Sequence, residues 1–142
     1  MIREFKASDT EALINVWRRA SDIAHPFLSS AFLDSQVPAL RDIYFPNAET
    51  WTVEVNARPV GFVALIGSEI GGLFLDPDIQ RSGWGHKMVN HASALKGDLQ
   101  VEVFEKNNIG RSFYNQYGFV ETHRFIHELT GETTIKMHFK TN

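Results

Sequence analysis

One segment limits the possible folds of this chain more than any other. An apolar run, Ile70-Gly71-Gly72-Leu73-Phe74-Leu75, ends in the breaker Asp76-Pro77-Asp78 and the turn Gln80-Arg81-Ser82-Gly83-Trp84-Gly85. A stretch that reads as a helix runs from Trp84 to about Leu95, and a β-rich run from Leu99 to Phe104. Strand, helix and strand in this order make a crossover, so the two strands lie parallel if they share a sheet. The turn also places free backbone N–H groups at the positive end of the helix, a good seat for a phosphate. Gly83 and Gly85 lack a Cβ and let a bulky anion approach the backbone. Spacing excludes a nucleoside-triphosphate loop, since there is no G-x-x-x-x-G-K-[ST]. It also excludes a dinucleotide turn, since there is no G-x-G-x-x-G.

The rest of the chain sorts by period. Ile2 to Phe5 alternates and predicts a first strand. Ser8-Asp9-Thr10-Glu11 has the form of a capping box before a helical stripe of Leu13, Ile14, Trp17, Ala20 and Ile23, with His25-Pro26 as the stop. Ser29 or Ser30 caps a second helical stretch. Pro38 restarts or bends it, Leu40, Ile43 and Tyr44 continue its apolar face, and Pro46-Asn47 closes it. Trp51, Val53 and Val55 then alternate as a strand, and Val60–Ile66 is apolar on both faces and so central. With Ile70–Leu75 they form an antiparallel meander. After the crossover come a short helix, Ile109–Tyr117, and two strands, Phe119–Ile126 and Thr133–Phe139. The expected order is β-α-α-β-β-β-α-β-α-β-β in one domain spanning residues 1–142.

Composition removes several function classes. The 142 residues carry a net charge of −3 with no basic cluster, which argues against a nucleic-acid surface. There is no cysteine, hence no disulfide, thiolate nucleophile or cysteine metal site. The six histidines lack metal-ligand spacing, so no metal is expected. The start, Met1-Ile2-Arg3-Glu4-Phe5-Lys6, is charged, unlike a signal peptide, and no apolar run approaches the ~20 residues of a membrane span. A cytoplasmic protein without a membrane partner, monomeric or homodimeric, is the expectation.

Gln-x-x-Gly-x-Gly after a strand ending in Asp-Pro resembles the acyl-CoA pyrophosphate loop of the GCN5-related N-acetyltransferases (GNATs). Downstream, Val101-Glu102-Val103-Phe104-Glu105-Lys106-Asn107, then Tyr114 and Tyr117-Gly118-Phe119, resemble a second family pattern: a strand, a terminal Asn, N-x-x-A-x-x-x-Y and a closing Gly-Phe. Asn107 and Tyr114 stand at the family's seven-residue step, and Gly110 departs from it where Ala is common. The element order matches too, so the resemblance covers nearly the whole chain. It implies the GNAT α+β fold, a central mixed, mostly antiparallel sheet of about seven strands flanked by four or five helices. The implied activity is direct transfer of an acetyl group from acetyl-CoA to a primary amine.

Carried over by position, the resemblance implies that Leu73, Phe74 and Leu75 meet the acetyl and pantetheine part, on a strand whose bulge or splay frees backbone groups. Core packing is the plainer reading of the two leucines, and both can hold. Gln80, Arg81, Ser82, Gly83, Trp84, Gly85 and His86 would cradle the pyrophosphate. Asn107 would bond the pantetheine arm or simply cap its helix. Tyr114 would protonate the departing thiolate; without the motif it reads as core. An aliphatic ammonium, with a pKa near ~10.4, must lose a proton before it attacks. Glu102, facing away from Val101 and Val103, and Glu69, where the apolar strand begins, are the candidate bases; each could also be a solvated carboxylate. His25, Phe27 and Trp17 could shape an amine pocket or serve as core. The acceptor stays open between a protein N-terminal or lysine amine and a small-molecule amine such as a polyamine or aminoglycoside. A non-catalytic CoA-binding sensor is the alternative from another class.

Overall fold

The computed structural model describes residues 1–79 and 82–141. Seven strands form one sheet: β1 (Ile2–Glu4), β2 (Glu49–Val55), β3 (Arg58–Ile66), β4 (Glu69–Leu75), β5 (Leu99–Phe104), β6 (Val120–Ile126) and β7 (Thr133–Phe139). Their spatial order is β1-β2-β3-β4-β5-β7-β6. All neighbours are antiparallel except β4 and β5, the pair joined by the crossover. The helices are α1 (Thr10–Ala24), α2 (Ser30–Ala39), a single turn α3 (Phe45–Asn47), α4 (Trp84–Lys96) and α5 (Asn108–Tyr117). A wide π turn, Leu40–Tyr44, joins α2 to α3.

The central position expected for β3 follows from its alternation. Phe62 and Ala64 face a core built with Leu13, Ile14, Trp17 and Leu33 of α1 and α2. Val63 and Leu65 face the opposite core, with Met88, Val89 and Ala92 of α4. The sheet is thus covered on both sides, as a strand apolar on both faces requires.

Two local expectations resolve differently at the helix ends. Ser29 does cap α2, its hydroxyl accepting the Phe32 N–H at 3.1 Å. The Ser8–Glu11 capping box does not form: a 3-10 turn, Ala7–Asp9, precedes α1, and Asp9 is the cap residue. Asp9 turns inward, 3% exposed, and accepts from the Arg3 guanidinium at 2.8 and 2.9 Å and from the Lys6 N–H at 2.9 Å. Glu11 instead reaches outward to Arg41. The half-buried cation Arg3, which also bonds Glu54 at 2.9 Å, captures the Asp9 carboxylate.

Candidate active site

The site begins where the parallel pair comes apart. β4 and β5 register only at Glu69↔Gln100 and Ile70↔Val101. Beyond that point β5 pairs with β7 all the way to Phe104↔Thr134, whereas β4 keeps only its partner β3. A bulge marks the divergence: Leu65 opposes Ile70 and Ala64 opposes Gly72, so Gly71 is the extra residue. A bulge bends its strand and strengthens the twist, which swings β4 away from β5. Gly72, Leu73 and Phe74 therefore have no backbone partner on the β5 side, among the described residues. The side chains stay engaged: Leu73 and Leu75 pack toward α4, and the Phe74 ring lies 5.5 Å from Phe62 on the other face. Packing side chains and available backbone coexist on one strand.

The gap between β4 and β5 opens into a cavity of about 1180 Å³. One end of it is the start of α4. The first helical N–H groups, on Trp84, Gly85 and His86, precede the first bond of the helix, from the Lys87 N–H to the Gly83 carbonyl at 3.1 Å. Gly83 holds the left-handed φ of +86° before them, and nothing lies within 4 Å of the place a Cβ would take. Gly85 is small for another reason, since a Cβ there would meet the Phe113 ring at 2.9 Å. Gly83, Gly85 and His86 line the cavity, while Ser82 bonds back to the Ile79 carbonyl and the Trp84 ring lies under Lys87 Nζ at 4.5 Å. Gln80 and Arg81 fall outside the described residues. The splayed backbone, the free helix terminus and the open glycine fit an elongated ligand ending in phosphates.

Tyr114 stands on α5 where that helix lines the gap. It is 7% exposed, packed at 5.2 Å against both Phe113 and Phe119, and burial raises its phenol well above the ordinary value. It is thus a protonated phenol at the cavity wall, able to give up a proton only to a strongly basic partner. Asn107 caps α5, its Oδ1 accepting the Gly110 N–H at 2.9 Å. That bond turns the amide nitrogen toward His25, whose Nε2 lies 3.2 Å away. An amide nitrogen only donates, so His25 is neutral with its proton on Nδ1. Burial agrees, pushing the His25 pKa down to about 4. The contact joins the end of α1 to the start of α5 across the gap. It also accounts for Gly110, where a Cβ would sit 2.6 Å from the Asn107 amide.

A second, smaller cavity of about 310 Å³ adjoins the first, sharing Tyr44, Gly71, Glu102 and His127 with it. Both candidate bases line it. The Glu69 carboxyl is raised above its ordinary range, first by partial burial and then by the charge of Glu102. Glu102 is exposed on the face opposite Val101 and Val103, as the alternation of the strand requires. Trp17 and His25 line the large cavity; Phe27 does not, and instead packs edge-on against Phe104 at 5.4 Å.

The family model of the acetyltransferase (GNAT) domain matches residues 46–121. Peptidyl-lysine N-acetyltransferase YjaB of Salmonella typhimurium is 36% identical over 124 residues, 87% of this chain and 85% of that protein. Peptidyl-lysine N-acetyltransferase YiaC of Escherichia coli is 30% identical, over 84% of this chain and 82% of its own length. The chain belongs to the GNAT family. The solution structure of apo-form YjaB from Escherichia coli superposes with a TM-score of 0.89, at 30% identity, over 100% of this chain and 98% of that one. The PaiA N-acetyltransferase of Thermoplasma acidophilum, solved in complex with coenzyme A, shares the fold with a TM-score of 0.79 at 17% identity, covering 98% of each chain. As a GNAT protein, this chain is an acetyl-CoA-dependent N-acetyltransferase.

Two residues of this GNAT site escape sequence reasoning. Tyr44 reads as one more apolar position on a helical face, yet its phenol oxygen is buried without a hydrogen-bond partner among the described residues. Its pKa is pushed up to about 12 by burial, with a smaller contribution from Glu69. His127 sits on the β6–β7 turn with its ring 5.4 Å from Phe104 and its Nδ1 held by Thr130, 3.0 Å from the hydroxyl. A Gly-Gly pair inside a strand was the available signal that another group comes close to β4.

Proposed function

We propose that this GNAT acetylates the side-chain amine of lysine in peptides or proteins. The observation that carries the reading is the second cavity, where Glu69 and Glu102 face an approach to the splay from the side opposite the helix terminus. Paired carboxylates attract an ammonium and then accept its proton. The relatives YjaB and YiaC, named as peptidyl-lysine N-acetyltransferases, support the same acceptor class.

In this reading the N–H groups of Trp84, Gly85 and His86 hold the pyrophosphate, and the free backbone of Gly72–Phe74 bonds the pantetheine amides. The ammonium gives one proton to Glu69, directly or through water. The neutral nitrogen attacks the acyl carbon, the C–N bond forms, the C–S bond breaks and its electron pair leaves with sulfur. Tyr114 protonates that sulfur. The nitrogen's second proton restores the phenol, and the proton on Glu69 passes to solvent.

The test is thiol release from acetyl-CoA, with mass spectrometry of the products. The acceptors are an N-terminally blocked lysine peptide, its arginine counterpart, a free-N-terminus peptide without lysine, spermidine and an aminoglycoside. Turnover of the blocked lysine peptide alone is expected. Preference for the free N-terminus, spermidine or the aminoglycoside would replace the lysine reading. CoA binding without turnover of any acceptor would point to a sensor.

A further inference from the structure

Among the residues that line both cavities, one phenol and one glycine touch each other, Tyr44 and Gly71. A Cβ built on Gly71 would lie 2.0 Å from Tyr44 Oη, so the hydroxyl rests directly on the bulged backbone of β4. Gly71 is the residue at which β4 leaves β5. The oxygen is shielded from solvent and has no partner among the described residues, and its residue, Tyr44, lines both cavities. A hydroxyl buried without a partner costs free energy, and such atoms call for a reason. Packing does not supply one here, since phenylalanine would fill the same space without the cost. The preceding π turn, Leu40–Tyr44, adds to the case, because such turns concentrate at functional sites. Pro38 and Pro46 bracket it, each removing an N–H that regular helix would use.

We infer that Tyr44 positions the acceptor nitrogen, its hydroxyl bonding that nitrogen where the second cavity meets the splayed strand. Glu69 and Glu102 draw the ammonium inward, and Tyr44 Oη fixes it over Gly71 in reach of the acyl group. A neutral hydroxyl both accepts and donates, so it serves the ammonium, the amine and the product amide in turn. The assignment rests on the lysine reading above and adds to it the residue that aims the lysine.

The test uses a bisubstrate probe, CoA joined through an S-acetyl linker to the Nε of a blocked lysine. Its affinity is measured by calorimetry against CoA alone. Wild-type protein should bind the probe more tightly than CoA. In Tyr44→Phe, CoA affinity should be unchanged while the probe weakens about tenfold, the scale of one lost buried hydrogen bond. The melting temperature should stay level or rise as the orphaned hydroxyl is removed. If Tyr44→Phe keeps the full advantage of the probe over CoA, Tyr44 is a packing residue and the inference falls while the lysine reading stands. If the wild type gains nothing from the lysyl arm, the lysine reading falls and takes the inference with it.

Discussion

At the scale of single residues, the proposed mechanism assigns its two proton transfers to groups of different environment. Tyr114 is kept protonated by burial, and Glu69 is a carboxylate whose pKa is raised. Tyr114→Phe should lower kcat by ~10²-fold, the range for loss of a positioned proton donor, with little change in the KM for acetyl-CoA. Steady-state kinetics with each substrate varied will show it. Glu69 must be ionised to act as base, so activity should rise with pH through its elevated pKa. Glu69→Gln should abolish that acid limb in a kcat/KM profile. Glu102→Gln should move the limb to lower pH, because the charge of Glu102 disfavours ionisation of Glu69. Both carboxylates were legible in the sequence, Glu102 from the alternation of its strand and Glu69 from its place where the apolar strand begins. Their ranking was not, since burial and mutual repulsion exist only once β4 and β5 lie side by side.

At the scale of elements, strand and helix were read well because period and breakers act locally. Leu99–Phe104 and Thr133–Phe139 stand where the alternation placed them. What escaped depends on contacts between elements: Asp9 turning to Arg3, which Glu54 of β2 also holds, rather than Glu11 pairing with Ser8, and Tyr44 lying on Gly71. The bulge makes its own prediction. Gly71→Ala should destabilise the fold by about 1–3 kcal/mol, as overpacking does. Adding Tyr44→Phe should recover part of that loss, because the atom that collides is the hydroxyl. A double-mutant cycle in urea, with coupling near zero, would exclude the contact. Gly83 differs, having open space but a left-handed backbone. Gly83→Val should raise the KM for acetyl-CoA strongly through the distorted turn, which titration of CoA binding checks independently.

At the scale of the whole molecule, two buried groups link stability to acid. The Arg3 guanidinium and burial act oppositely on Asp9, and the hydrogen bond to Arg3 wins, holding its carboxyl below the usual range. A depressed carboxyl stabilises the fold above its unfolded pKa and loses that contribution as pH falls through the folded value. His25 is depressed as well, from about 6.5 in the unfolded chain to about 4. Between those values the unfolded chain takes up a proton that the folded one refuses, so stability drops as pH falls across the window. The drop should be on the order of 3 kcal/mol. Urea unfolding of the wild type and of His25→Gln at pH 7 and pH 5 should show a flatter dependence in the variant.

The sheet also has an unequal seam. Every other neighbouring pair registers over at least three positions, whereas β4 and β5 register over two. In mechanical terms the molecule is a hinged pair of boards with a short spine and a clasp, the spine at Glu69–Ile70 and the clasp between His25 and Asn107. Pulled across that line, it should tear there first. A ligand lodged in the gap becomes the missing rungs of the ladder, so this enzyme should be toughest while it holds its cosubstrate and most easily opened just after it lets the product go.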